Sequence, residues 1–207
     1  MDKNLTQTGT MTETISDLAT AELKTLKQQL LDYFCKFAYK EGDFVLSSGQ
    51  RSSYYINGKL VTLHPQGALA VGRLLLSLLT DDIEAVAGLT LGADPIVTAV
   101  SVVSAYENRP IPGLIIRKEA KGHGTMAYIE GPILATGAQV VVLEDVVTTG
   151  ASAMKAVDRL RDAGYTVDRV IALVDRQQGG AELYRQQQLN FEALFTISEI
   201  QQHFASN

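Results

Sequence analysis

The chain has a single cysteine, Cys35, among its 207 residues. One thiol cannot build an internal disulfide framework or a cysteine zinc cluster, so stability must come from a packed core. Cys35 itself reads as a small apolar side chain on a helix. Long apolar runs are missing too. The longest, Gly67 to Leu79, is interrupted by Arg73 and falls short of the roughly 20 residues that cross a bilayer. No membrane is therefore expected as a partner. The N-terminus lacks the basic, apolar and small-residue succession of a secretory leader, which points to the cytoplasm. Positive charge is scarce: 18 Lys and Arg against 23 Asp and Glu give a formal net charge of -5. That balance speaks against nucleic acid as a partner. It also speaks against long-range attraction of an anionic substrate, so any anion site must be a local cluster of cations.

Two nucleotide-binding signatures are absent as well. Gly58-Lys59 is followed by Leu60, which supplies no hydroxyl for magnesium, and no glycine stands at the required upstream spacing. This excludes a Walker A loop. No G-x-G-x-x-G follows any candidate strand, which removes a dinucleotide site.

What is present has the size of one domain. Residues 1–18 are polar, rich in Thr and without periodicity, and read as a disordered arm. Residues 19–207 read as a single domain. Leu23, Leu26, Leu30, Phe34 and Phe37 recur at helical spacing, with Thr20 as N-cap and Gly42 as stop. Tyr54-Tyr55-Ile56 has strand character between two turn signals. Pro65 opens a helix through Leu79. Ile83 to Ala87 reads as a buried strand, and Pro95 opens a further helix. Leu114 to Arg117 and Met126 to Ile129 read as strands on either side of a polar, glycine-bearing loop. Gln139 to Leu143 is a β-branched run suited to a central parallel strand. Met154, Val157 and Leu160 mark a helix that stops at Gly164, and Val167 to Val174 form another buried strand. Strands alternating with helices predict an α/β fold with a mostly parallel sheet.

The chemistry concentrates in Val140-Val141-Val142-Leu143-Glu144-Asp145-Val146-Val147-Thr148-Thr149-Gly150-Ala151-Ser152. A buried strand ends in two carboxylates, a Thr-Thr-Gly turn follows, and a helix begins. Ligands of open α/β sheets gather beyond the carboxyl ends of the strands. A helix N-terminus behind small residues offers backbone N–H groups and a positive dipole end to a phosphate. Thr148, Thr149 and Ser152 add hydroxyl donors. The two acids would repel a phosphate but suit the hydroxyls of a ribose. The stretch therefore reads as a sugar-phosphate cradle.

Two acids and Thr-Thr-Gly after a Val-rich strand resemble the motif by which type I phosphoribosyltransferases bind 5-phosphoribosyl 1-diphosphate (PRPP). The resemblance implies a central, mostly parallel sheet flanked by helices, a small N-terminal hood over residues 19–60, and a mobile catalytic loop. It implies that Glu144 and Asp145 hold the ribose hydroxyls. It further implies that Val146 and the residues Val147, Thr148, Thr149, Gly150, Ala151 and Ser152 surround the 5′-phosphate. Magnesium is the implied cofactor, bound mainly through PRPP and not directly by protein side chains.

A second stretch, Arg117-Lys118-Glu119-Ala120-Lys121-Gly122-His123-Gly124-Thr125, gathers three cations and a histidine. Cations placed in advance stabilise a departing pyrophosphate more in the transition state than in the ground state. The glycines let the loop move and exclude water from a reactive ribose. His123, with an ordinary pKa near neutrality, can donate to the leaving group. Arg-Lys-x-x-Lys-x-His-Gly resembles the catalytic loop of orotate phosphoribosyltransferases. That resemblance implies catalytic roles for Lys121 and His123, pyrophosphate contacts for Arg117 and Lys118, and a homodimer whose loops are shared between subunits.

The segment from Phe44 to Tyr55 resembles the same family's N-terminal orotate segment, and Tyr54 or Tyr55 can lie against a flat pyrimidine. Val174-Asp175-Arg176-Gln177-Gln178-Gly179-Gly180 resembles its later strand-end motif. Arg176 matches a carboxylate in a two-bond fork, which suits orotate, and Thr148 is also placed to touch the base. The implied reaction joins orotate to PRPP, releasing pyrophosphate and giving orotidine 5′-monophosphate. Two departures stand out: Ser47 and Leu91-Gly92-Ala93 replace lysines that several relatives carry. Backbone N–H groups of Thr90 to Asp94 are the substitute expected on pyrophosphate. His64 and His203 read as ordinary surface or capping residues. The alternatives are transfer to another nucleobase and a noncatalytic PRPP-sensing regulator.

Overall fold

The computed structural model describes residues 15–45, 49, 51–121 and 125–206. Its centre is a six-stranded sheet of order β5-β4-β3-β6-β7-β8. The strands are β3 (Ala85–Leu89), β4 (Gly113–Ile116), β5 (Ile129–Glu130), β6 (Gln139–Val147), β7 (Thr166–Asp175) and β8 (Asn190–Thr196). All neighbours run parallel except the β4–β5 pair. β6 is central because its Val-rich run is apolar toward both faces, so helices must cover it on both sides.

Side-chain alternation divides the sheet cleanly. Val86, Val141, Leu143, Ile171 and Leu173 pack with the helical layer that includes α2 (Leu23–Tyr33), α4 (Pro65–Leu78) and α5 (Asp94–Tyr106). Ala85, Ala87, Val140, Val142, Val170 and Ala172 pack with α6 (Ala151–Asp162) and with Tyr184 of α7 (Gly180–Gln186). From β3 the chain passes through α5 to β4 on one side. From β6 it passes through α6 to β7 on the other. The connections leaving the adjacent strands β3 and β6 thus run to opposite sides, which places a crevice at their carboxyl ends.

Around this core lie α1 (Ile15–Thr20), a π-turn over Phe34–Ala38, the antiparallel hairpin β1 (Tyr39–Val45) and β2 (Arg51–Ile56), and the short α3 (Lys59–Thr62). α8 (Ile197–Ala205) closes the chain behind a capping box formed by Thr196 and Glu199. The His203 ring meets the Asp32 carboxylate at 2.6 Å and ties α8 to α2. His64 precedes α4, and its ring stacks on Phe37.

The structure departs from the sequence reading in several places. The arm expected over residues 1–18 overlaps α1, where Leu18 is fully buried; the remainder, 1–14, lies outside the described residues. Arg73 explains this helix. Its guanidinium donates to the carbonyls of Leu18 at 2.7 Å and Ala21 at 2.9 Å, giving partners to groups at a helix end. Glu22, not Thr20, precedes α2, and the helical spacing through Phe37 covers α2 plus the π-turn. Gly42 lies within β1, next to a bulge, and does not end a helix. The expected strand from Met126 to Ile129 is a 3₁₀ turn over Thr125–Tyr128 followed by the two-residue β5. Cys35 sits in the π-turn, half-buried. Burial, helped by nearby Asp32, pushes its thiol up to about 11, which keeps it unreactive at neutral pH.

Candidate active site

The acids sit where β6 emerges into the crevice. Glu144 and Asp145 are both buried, at 6% and 8% exposure. Alternation along the strand sends their side chains to different environments. Asp145 Oδ1 accepts from the Val146 N–H at 2.9 Å, and its Oδ2 lies 3.5 Å from Lys59 Nζ. Glu144 Oε2 has no partner. Burial first, and then the Asp145 charge, pushes the Glu144 carboxyl up to about 8, while Lys59 pulls the other way. An unpartnered buried carboxyl oxygen is costly in a folded protein unless a ligand donates to it.

The turn beyond the acids is shaped for an anion. Gly150 adopts φ 85°, which an L side chain rarely reaches, and it delivers the chain into α6 without any side-chain cap. The first turn of a helix leaves its N–H groups without intrahelical partners. A phosphate can take that place. Glu144, Val147, Thr148, Thr149, Gly150, Ala151, Ser152 and Tyr184 line a cleft of about 80 Å³ here. The walls are firm. Arg176 N–H donates to the Val147 carbonyl at 2.9 Å, Gly180 N–H to the Thr148 carbonyl at 3.2 Å, and Tyr184 O–H to the Gly150 carbonyl at 3.3 Å.

Arg176 follows β7, the strand beside β6, and only 9% of it is exposed. Its Nε donates to the Tyr54 hydroxyl at 3.1 Å, and the guanidinium lies 4.9 Å from the centre of the Tyr54 ring. Gln178 donates to the same hydroxyl at 3.5 Å. Arg176 Nη2 is buried and without a partner. The structure therefore joins Tyr54 of the hairpin to Arg176 of the sheet and leaves a donor of the guanidinium fork unsatisfied. Tyr55, the next residue, is not brought there. It is half-exposed and packs on Phe44.

The cationic loop leaves the sheet from β4 and returns through β5, at the edge opposite β8. Arg117 and Lys121 converge on the Glu130 carboxylate, at 3.0 and 3.8 Å. Arg159 of α6 donates to the carbonyls of Arg117 and Lys118 and lies 4.0 Å over the Tyr128 ring, so the base of the loop is pinned. Lys118 is exposed. His123 and Ser47 lie outside the described residues. In this chain the loop cations face Glu130, while the acids and Arg176 lie at the ends of β6 and β7.

Three participants carried no usable sequence signal. Lys59 resembled half of a failed Walker motif, yet it reaches Asp145. Tyr184 closes the cleft at the start of α6 from a helix distant in sequence. Glu130 collects the loop cations. Among the described residues, no group of three or more His, Cys, Asp and Glu side chains converges to hold a metal ion. Nor is any helix among them long and apolar enough to cross a membrane.

No family model matches the chain. An orotate phosphoribosyltransferase of a Nostoc species is 78% identical over 186 residues, which make up 90% of this chain and 90% of that protein. Another, of a Synechocystis species, is 70% identical over 189 residues, 91% of this chain and 96% of its own length. In shape the chain is similar to the crystal structure of Mycobacterium tuberculosis orotate phosphoribosyltransferase in complex with 5-phospho-alpha-D-ribosyl 1-diphosphate. The TM-score is 0.71 and the identity 33%, over 84% of this chain and 98% of that one.

Proposed function

The chain belongs to the orotate phosphoribosyltransferase family, whose members transfer the phosphoribosyl group of PRPP to orotate in pyrimidine biosynthesis, and from that premise we propose the roles of its own residues. The 5′-phosphate of PRPP caps α6 on the N–H groups and hydroxyls of Val147 to Ser152. Its ribose hydroxyls donate to Glu144 and Asp145. Orotate stacks near Tyr54 with its carboxylate on Arg176. Arg117, Lys118 and Lys121 stabilise the departing pyrophosphate, and His123 donates to the leaving group. The ionised ring nitrogen of orotate bonds to the anomeric carbon as the bond to pyrophosphate breaks, so no protein nucleophile is needed. Tyr55 serves the packing of the hairpin and not the base.

The observation that carries this assignment is the pair of unsatisfied buried groups at the ends of adjacent strands: Glu144 Oε2, an acceptor for sugar hydroxyls, and Arg176 Nη2, a donor for a carboxylate. Magnesium fits as a companion of PRPP, since Glu144 and Asp145 offer hard oxygen donors beside the proposed ribose site. When bound it supplies charge neutralisation on the phosphate oxygens. The cytoplasm is the place assigned to the reaction.

Two copies complete the enzyme in this reading, each loop serving its neighbour. Exposed Leu63, Leu91 and Val102 support a covered face, since they line an apolar groove between α3, α4 and α5.

The test follows orotate by its ultraviolet absorbance in the presence of PRPP and magnesium, with adenine, hypoxanthine and uracil alongside. Loss of orotate alone, abolished in Lys121→Ala, is expected. Transfer to another base, or full turnover in the variant, would contradict the assignment.

A further inference from the structure

Lys59 stands where the acid pair meets the turn after β3. Its ammonium is 3.5 Å from Asp145 Oδ2, but the two partners are unequal: the Asp145 side chain is 11% exposed and that of Lys59 is 41%. The other oxygen of Asp145 is held by the N–H of its own neighbour, Val146. A ribose hydroxyl arriving at Asp145 therefore finds both oxygens engaged. The Val146 N–H is fixed by the backbone, whereas Lys59 has a flexible four-carbon stem and open space, so Lys59 is the partner able to yield.

The direction in which it yields follows from the walls. Lys59 does not line the phosphate cleft at α6. With Leu91 and Asp94 it lines a separate groove. The turn from Thr90 to Asp94 presses on the Asp145 carboxylate: a Cβ on Gly92 would come within 2.8 Å of Asp145 Oδ1. A ribose with its 5′ end on α6 and its hydroxyls on the acids directs its anomeric carbon, and the diphosphate on it, toward this turn. The turn carries no basic side chain of its own.

We propose that Lys59 is a binding residue for the diphosphate of PRPP, neutralising Asp145 in the empty site and moving onto the diphosphate when the ribose hydroxyls replace it. The inference rests on the assignment of the acids and the α6 turn to PRPP.

Calorimetric titrations of the wild type, Lys59→Met and Lys59→Arg with PRPP, inorganic pyrophosphate and ribose 5-phosphate, all with magnesium, test it. Lys59→Met is expected to weaken PRPP and pyrophosphate by about 10- to 100-fold, the range of a charge-assisted hydrogen bond. Ribose 5-phosphate, which displaces Lys59 without offering it a diphosphate, should bind Lys59→Met at least as tightly as the wild type, and Lys59→Arg should recover most of the loss. Unchanged pyrophosphate affinity in Lys59→Met would overturn the role of Lys59 alone. Equal weakening of all three ligands would overturn it too, by showing a structural role. A wild type that binds neither PRPP nor pyrophosphate would remove the underlying site, and Lys59 with it.

Discussion

Glu144 and Asp145 are neighbours in sequence and unequal in chemistry. Asp145 has a cation and a backbone donor, whereas Glu144 ends in a buried oxygen without a partner. The adjacency was legible in the sequence. The inequality was not, because it depends on Lys59 and on burial by other elements. It has a consequence for pH. The folded state holds a proton on Glu144 up to about 8, whereas an unfolded chain releases it in the ordinary carboxylate range, near 4.5. Across that window the native state binds more protons than the unfolded state, so the contribution to stability is full below the window and is lost as pH rises through about 8. Chemical denaturation of the ligand-free protein should thus show stability falling from about pH 4.5 to about pH 8, with the fall removed in Glu144→Gln. The same slope in the variant would mean that another group binds the proton. Asp145 and Lys59 are the charges that face this carboxyl, and both bear on the profile.

At the level of elements, the proposed phosphate site is a helix start held at a fixed angle. Thr-Thr-Gly announced the turn, and the positive φ of Gly150 is what the glycine is for. The sequence did not show that Tyr184 backs this turn so closely that a Cβ on Gly150 would sit 3.0 Å from its ring. Gly150→Ala is expected to destabilise the protein by about 1–2 kcal/mol from the left-handed backbone alone. It should also weaken ribose 5-phosphate, because the first N–H groups of α6 would turn away. Thermal denaturation beside a phosphate-ligand titration checks this; a stable variant with full affinity would show that the turn tolerates a side chain. The hairpin teaches a related lesson. Tyr54 and Tyr55 were equivalent as letters, but adjacent strand residues face opposite ways. Only Tyr54 meets Arg176, which joins the site from 122 residues further along the chain.

At the scale of the whole molecule, the loop cations and the acid cradle belong to different parts of the sheet. Arg117 and Lys121 lie at the β4–β5 edge on Glu130, while Glu144 and Asp145 lie in the carboxyl-terminal half of the central β6. A loop that serves a neighbouring subunit reconciles the two. Mixing Lys121→Ala with Asp145→Asn subunits should then restore about a quarter of wild-type activity, because half of a random dimer population carries one intact site of two. Activity measured after subunit exchange reads this out. No recovery, with exchange demonstrated, would assign each loop to its own subunit.

The sequence by itself determined the α/β class and marked the acid pair, the Thr-Thr-Gly turn and the cationic loop, because each depends on residues close together in the chain. Periodicity, strand-end acids and helix starts are local properties. It gave less on boundaries: α1 overlaps a stretch whose composition suggested disorder, since the burial of Leu18 and the anchoring of α1 by Arg73 are long-range. Only the tertiary structure decided that Tyr54 and not Tyr55 meets Arg176, that Lys59 reaches Asp145, and that Glu144 holds its proton. These depend on burial and on side chains brought together from distant segments, and desolvation has no counterpart in a linear order of residues.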